Sequence, residues 1–374
     1  MRNDTSMTIR SRAAVAPCPG ARFLFQDVDL DGPRQDETLI RIVACGICHT
    51  DIAARDGMFG LDFPAVFGHE GAGIVEAAGA EAVRVRPGDR VVISFASCGK
   101  CSSCTAGHPA HCMAFDELNF GSTRPDGSST IHDTKGAAVG CCFFGQSSFA
   151  YHALARERNL VPVDAGDDDE LALFAPLGCG VQAGAGTVLN ELKPRPGESF
   201  AVFGAGTVGL SALMAAHMAG AAPIAAVDIA ASRLKLAGEL GATHVINALE
   251  QEISPRLREL VGPVDHAVET TGVSRVIDQA IKSLGPFGKM SKLGVSHEQS
   301  HQRVTPQRPG PDQRVFYSIA GDSDPQEFIP YMIRCYREGK FPFDKLIRQY
   351  PSPEINRAVK DSQDGYTVKA VLRF

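Results

Sequence analysis

The chain of 374 residues has no tryptophan, no tandem repeat and no surplus of positive charge. The missing tryptophan excludes nothing about function. The charge balance is more informative: 37 Lys and Arg against 43 Asp and Glu give a net charge of −6. That leaves no electrostatic footprint for a nucleic acid or an anionic membrane surface. A signal peptide is also missing, because Arg2, Arg10 and Arg12 are not followed by an apolar core. The expected location is therefore cytoplasmic. One long stretch, Ser199 to Val227, lacks Asp, Glu, Lys and Arg, but it is broken by Gly204, Gly206, Gly209, Gly220 and Pro223 and contains His217. A spanning helix needs about twenty consecutive apolar residues. The stretch reads instead as a buried strand, a tight turn, a helix and a second strand. Eleven cysteines without a secretory signal indicate a reducing compartment, where a tight cysteine cluster is a metal site before it is a disulfide framework.

The fold class expected is α/β in two domains. Residues 1–180 alternate short apolar runs with Gly and Pro, as in "ETLIRIVA", "GAGIVEAAG" and "GDRVVIS", and read as a β-rich domain carrying most of the Cys and His. Residues 181–320 switch to strand–helix alternation: "SFAVFG", "TVGLSALMAAHMAG", "PIAAVD", "SRLKLAGELG", "HVIN". That pattern predicts a Rossmann-type, doubly wound parallel sheet. Residues 321–374 hold an amphipathic helix, "PQEFIPYMIRCYREG", and a strand-like end, "YTVKAVLRF", and are expected to return to the first domain. The polar, Pro-rich stretch 296–313 reads as a loop.

"GAGTV" occurs twice, at 184–188 and 204–208. A dinucleotide turn needs a strand before it, three glycines, a helix after it and an acid closing the next strand. The second copy meets all four conditions with Gly204, Gly206 and Gly209, Thr207 and Val208 opening the helix, and Asp228 nineteen residues after Gly209. Gly204 makes the turn, Gly206 lets the backbone approach a pyrophosphate, and Gly209 lets helix and strand pack closely. Asp228 would accept from ribose hydroxyls and repel the extra phosphate of NADP, so NAD is the expected cofactor; Arg233 just beyond it is a further candidate contact. In the first copy Leu189 takes the third glycine position and no acid follows, so its glycines are read as helix-packing residues.

"SCGKCSSCTAGHPAHC" places Cys98, Cys101, Cys104 and Cys112 at C-x2-C-x2-C-x7-C spacing. Four thiolates saturate a tetrahedral zinc ion and leave no place for substrate, so this site is structural. A catalytic zinc needs three protein ligands and one exchangeable position. Candidates lie in "CGICHTD" (Cys45, Cys48, His49), "FGHEGAG" (His69, Glu70) and "PLGCGVQAG" (Cys179).

In this order, "CGICHTD", "GHEGAGIV", "GDRV", the four-cysteine lobe, "GCGVQAGAG" and the GxGxxG unit resemble the zinc-dependent medium-chain alcohol dehydrogenases over essentially the whole chain. "GCGVQAGAGTVLN", "FFGQSSFA" and "GKFPFDKL" are most similar to the aryl-alcohol branch. The resemblance implies a GroES-like catalytic domain, a catalytic zinc on Cys48, His69 and Cys179, and two zinc ions per chain. It places Glu70 near the catalytic metal, as an occasional ligand or as a group behind the ligands, leaves Cys45 out of the ligand set, and gives Asp51 the task of orienting His69. Thr50 would begin a proton relay, with His49 as its far end or as a contact to the cofactor phosphates; the position where liver-type enzymes often carry the terminal His is Ala53 here. Read without the resemblance, Thr50 caps a helix beginning at Asp51. The implied reaction is reversible oxidation of a primary aryl or allylic alcohol to its aldehyde, with hydride transfer to NAD. The implied assembly is a homo-oligomer, dimer or tetramer. Segments after Cys48, around Phe95 and Phe115, and beyond Phe287 would line the substrate pocket; read by residue type alone, those phenylalanines are core residues. Two alternatives stand beside this reading: a thiol-dependent formaldehyde dehydrogenase of the same superfamily, and a non-catalytic zinc- and NAD-binding redox sensor using Cys45, Cys141 or Cys142.

Overall fold

The computed structural model describes residues 8–294 and 310–374. Most of the 296–313 loop reading falls outside the described residues. The chain divides into two compact units: the described parts of Met1–Cys179 with Asp324–Pro330 and Leu346–Phe374, and those of Gly180–Ser323 with Tyr331–Lys345. The tail expected to return as one block, 321–374, is thus divided, because Tyr331–Lys345 belongs with the second unit.

The first unit is β-rich. Its larger sheet has seven strands, in the order Leu160–Pro162, Arg90–Ile93, Glu70–Ala78, Glu37–Gly46, Lys369–Arg373 and Ile347–Pro351, with His152–Arg156 also paired to Glu37–Gly46. "ETLIRIVA" lies in the central strand and is buried almost throughout, since it is flanked by partners along both edges. Ile40, Ile42, Val75, Val91, Ile93 and Leu160 pack together as the core of this sheet. The C-terminal strand Lys369–Arg373 inserts beside the central one, with Val371 opposite Gly46. A second sheet of five strands runs Ala65–Val66, Thr8–Ala16, Leu24–Asp31, Ile131–Asp133, Ala138–Val139.

The second unit holds a six-stranded, all-parallel sheet in the order His244–Asn247, Ile224–Asp228, Phe200–Phe203, Val264–Glu269, Leu284–Lys292, Arg314–Tyr317. Numbered along the chain this is 3-2-1-4-5-6, the order that binds dinucleotides where the strand sequence reverses. Phe200–Phe203 is wholly buried, as a strand covered on both faces must be. The charge-free stretch 199–227 resolves into this strand, the helix Thr207–Met218 and part of Ile224–Asp228. Among the described residues no single helix is long and apolar enough to cross a membrane.

Candidate active site

Among the described residues, two groups of side chains that could hold a metal ion converge in the first unit. Cys98, Cys101, Cys104 and Cys112 bring their sulfurs within 4.8 Å of one another. The loop does this locally, with a short helix at Ser102–Thr105 and a 3-10 turn at Pro109–His111. Backbone N–H groups of Cys98 and Cys101 donate to the sulfurs of Cys112 and Cys98 at 3.2 and 3.3 Å. The N–H of Met113, then Cys104, lowers the Cys101 thiol to about 6, while burial pushes Cys104 up to about 12. A tetrahedron with Zn–S bonds of ~2.3 Å has edges of roughly 3.8 Å, so four thiolates this close fit a zinc ion and fill its coordination.

The second group is Cys48, His69, Glu70 and Cys179, whose ligand atoms also lie within 4.8 Å of one another. Cys48 is the N-cap of the helix His49–Arg55, and its N–H donates to Asp51 Oδ2 at 2.8 Å. The other Asp51 oxygen takes the Gly68 N–H at 3.1 Å and His69 Nδ1 at 2.8 Å. Asp51 thus joins the "CGICHTD" and "FGHEGAG" stretches and leaves His69 Nε2 facing Cys179 Sγ at 3.2 Å. Asp51 and His69 are both fully buried. Burial opposes a charged imidazole, but Asp51 overrides it and raises His69 to about 10. With a metal on Nε2, Nδ1–H donates to Asp51, which fixes tautomer and ring plane. The hydrogen bond between the two thiols pulls Cys48 well down and pushes Cys179 well up, as expected of a pair sharing one proton. Cys179 follows the turn Ala175–Gly178, held by Ser94 Oγ donating to Gly178 O at 2.7 Å. Three donors of N and S type within reach of one ion fit an open zinc site.

The remaining candidates fall as follows. Thr50 Oγ1 is 3.7 Å from Cys48 Sγ. Because the helix starts at His49, Thr50 lies inside its first turn, and the cap reading for Thr50 is corrected in favour of Cys48. His49 is exposed at the same helix end. Cys45 is buried and directs its sulfur to Gly46 O at 3.5 Å, outside the cluster. Cys141 and Cys142 bring their sulfurs to 3.5 Å apart without a disulfide.

Sequence reasoning did not give roles to three groups that support the cluster. Lys369 Nζ donates to both oxygens of Glu70 at 2.9 and 2.8 Å. Gln146, from "FFGQSSFA", donates to His69 O at 2.9 Å and accepts from Gly71 N at 3.1 Å. Phe144 stacks on the His69 ring at 4.3 Å and 23°, with Phe143 edge-on at 5.4 Å. Phe115 is 6.4 Å from Phe144 and 5.8 Å from Phe95, so an aromatic wall stands beside the cluster. Cys142, Phe144 and Ser147 have φ of 59°, 51° and 54°, which non-glycine residues seldom adopt. Such a run persists because its surroundings over-determine it, here through Ser147 Oγ on Val66 O at 2.7 Å and the buried Gln146. Phe287 belongs to the second unit and is 73% exposed there.

In the second unit the two "GAGTV" copies lie in different surroundings. Gly204 has φ +93°, and a Cβ on Gly209 would lie 1.8 Å from Gly204 O. A Cβ on Gly206 would meet nothing within 4 Å, which leaves open space above the N-terminus of Thr207–Met218. The dipole and N–H groups of that helix end suit a pyrophosphate. The first copy sits in the helix Gly180–Gly186, where a Cβ on Gly184 would be 2.1 Å from Val208 O: a helix-packing glycine. Asp228 accepts from Ala205 N at 2.6 Å and from Ile229 N and Ala230 N, both at 2.8 Å. A carboxylate has about four acceptor positions, so one remains for a ligand hydroxyl. Arg233 lies in the first turn of Ala231–Glu239.

A β-rich unit with two clusters that could each hold a metal ion, in a chain whose other unit carries a glycine turn after the first strand of a parallel sheet, points to the class of zinc-binding dehydrogenases. The model of the alcohol dehydrogenase GroES-like domain matches residues 34–165, and that of the zinc-binding dehydrogenases matches residues 207–336. Geraniol dehydrogenase of Castellaniella defragrans is 41% identical over 100% of both chains. The crystal structure of benzyl alcohol dehydrogenase from Acinetobacter calcoaceticus is 42% identical, with a TM-score of 0.92 over 98% of this chain and 99% of that one. The chain belongs to the zinc-dependent medium-chain alcohol dehydrogenases. S-(hydroxymethyl)glutathione dehydrogenase of Saccharomyces cerevisiae is more distant, at 31% identity over 98% of this chain and 96% of its own length. Membership of an enzyme family sets aside the non-catalytic sensor.

Proposed function

We propose that the chain oxidises primary aryl or allylic alcohols to aldehydes, reversibly and with NAD as hydride acceptor, using two zinc ions per chain. The observation that carries the substrate class is the aromatic wall of Phe144, Phe143, Phe115 and Phe95 beside His69. Phe144 and Phe143 pack on His69 and are buried, with Phe115 and Phe95 continuing the row behind them, and such an apolar, π-rich environment favours a flat unsaturated carbon skeleton over the polar adduct of a thiol-dependent formaldehyde dehydrogenase. The two similar proteins described above, a geraniol and a benzyl alcohol dehydrogenase, support that choice.

Cys48, His69 and Cys179 would hold the catalytic metal, and Cys98, Cys101, Cys104 and Cys112 the structural one. The catalytic zinc supplies a Lewis acid that lowers the pKa of an alcohol hydroxyl, and the dinucleotide supplies the hydride acceptor. Asp51 keeps the His69 lone pair aimed at the cluster. Thr50, whose hydroxyl both donates and accepts, receives the alcohol proton and passes it outward. His49, exposed in the same helix turn, is its route to solvent. Gly204, Gly206 and Gly209 shape the pyrophosphate turn, with Thr207 and Val208 in the first helical turn. Asp228 selects NAD by holding a ribose hydroxyl where a phosphate would be repelled, and Arg233 flanks that end. The four-thiolate lobe needs reduced cysteines, which supports a cytoplasmic location. The family resemblance supports a homo-oligomer.

The test is NADH absorbance with benzyl, cinnamyl and geranyl alcohols against ethanol, with NAD against NADP and no added thiol. Fast NAD reduction by the unsaturated alcohols is expected. Turnover of formaldehyde only when thiol is added would instead support the formaldehyde reading.

A further inference from the structure

Three adjacent strands of the seven-stranded sheet end in a buried ion pair. Glu70 opens Glu70–Ala78, Gly46 closes Glu37–Gly46 and Lys369 opens Lys369–Arg373. Gly46 lies opposite Glu70 on one side and Val371 on the other, so Lys369 reaches Glu70 across the middle strand. The crossing passes over a bare Cα: a Cβ on Gly46 would sit 2.0 Å from Glu70 Oε2. The Lys369 side chain is 2% exposed and that of Glu70 0%. Besides the two carboxylate oxygens, Lys369 Nζ donates to Ile47 O at 3.0 Å. These contacts account for the three N–H donors of an ammonium group. Gln146 grips the peptide groups on either side of Glu70, at His69 O and Gly71 N.

The position of this clasp gives it meaning. The Glu70 carboxylate lies within 4.8 Å of the ligand atoms of Cys48, His69 and Cys179. A carboxylate is a competent zinc ligand, and a fourth protein donor closes a tetrahedral ion to substrate, as four sulfurs do in the lobe. For Glu70 to put an oxygen on the metal, Lys369 must give up at least one of its three acceptors in a dry interior, and a buried charged donor left unmet is costly. We propose that Lys369 is a positioning residue that withholds Glu70 from the Cys48–His69–Cys179 set and so keeps the fourth metal position open to an exogenous ligand. This rests on the reading of that cluster as a zinc site.

Cobalt(II) exchanged into the protein reports the ligand field by its visible absorption, and imidazole is the probe for an open position. The closed lobe contributes a constant background, so the imidazole difference spectrum isolates the second site. Wild type is expected to give a clear imidazole response. Lys369→Met should show an altered band before imidazole is added and bind imidazole about ten-fold more weakly or worse, the scale of effects from groups behind the ligands. Adding Glu70→Gln to Lys369→Met should restore the response, which a merely unfolded protein does not do. Lys369→Arg, which retains donors for both oxygens, should resemble wild type. An equal imidazole response in wild type and Lys369→Met overturns the proposal and leaves the zinc reading intact. A wild-type cobalt content of one per chain that Cys48→Ala does not change overturns the zinc reading and this proposal with it.

Discussion

The four-cysteine lobe draws all its donors from a single loop, Cys98 to Cys112. The second cluster draws Cys48, His69 and Cys179 from three separate stretches and surrounds them with buried charge: Asp51 behind His69, and Lys369 against Glu70. The lobe needs little beyond its sulfurs and nearby backbone N–H groups, because a closed tetrahedron only has to hold. An open site needs more. Each donor must be aimed, a competing carboxylate must be kept away, and one position must stay free for chemistry. The residues that do the aiming and the withholding distinguish the two sites more than the ligands themselves do.

That contrast can be broken by substitutions that should separate turnover from stability. Cys48→Ala should have the largest effect on turnover, a loss on the order of 10³-fold or more in kcat, since several kcal/mol of charge stabilisation disappear. One zinc should remain per chain, as metal analysis would show. Thr50→Val keeps the shape and removes the hydroxyl; about 100-fold lower kcat with unchanged zinc content is expected, the usual scale for a lost proton-transfer group. Full turnover in Thr50→Val would eliminate the relay. Asp51→Asn should weaken metal retention at the open site by about ten-fold, measured by competition with a chromophoric chelator, with lobe zinc unaffected. Cys101→Ser belongs to the other side of the contrast. The folded fraction should keep its kcat, while the melting temperature falls on the order of 10 °C, from a loss of roughly 4 kcal/mol of metal-linked stability.

What could be read in advance follows the same division. The convergence of the four lobe sulfurs was legible because these residues are close in sequence. The strand, glycine turn and helix around Gly204, Gly206 and Gly209 were legible because they follow in a fixed order along the chain. The open cluster was legible only as scattered weak candidates until the resemblance ordered them. Lys369 was missed for a physical reason: in "YTVKAVLRF" it looks like the solvent-facing position of an ordinary strand, and its partner Glu70 is 299 positions away. Asp51 was named as the orienter of His69, but its grip on Cys48 N and Gly68 N depends on the start of the helix at His49, which the local pattern does not fix. Leu284–Lys292 has Pro286 and two glycines in its first half and no strand-like alternation. It is a strand because Val264–Glu269 and Arg314–Tyr317 pair with it on either side.

The most direct test of two zinc sites with separate tasks is stepwise zinc removal by a chelator, following zinc content, NADH formation from benzyl alcohol and melting temperature in the same samples. The account predicts that turnover disappears with one of two zinc ions while the melting temperature changes little, and that the fold loosens only as the other leaves. Turnover that persists until the last zinc is removed, or that falls in step with the melting temperature from the first, would contradict it.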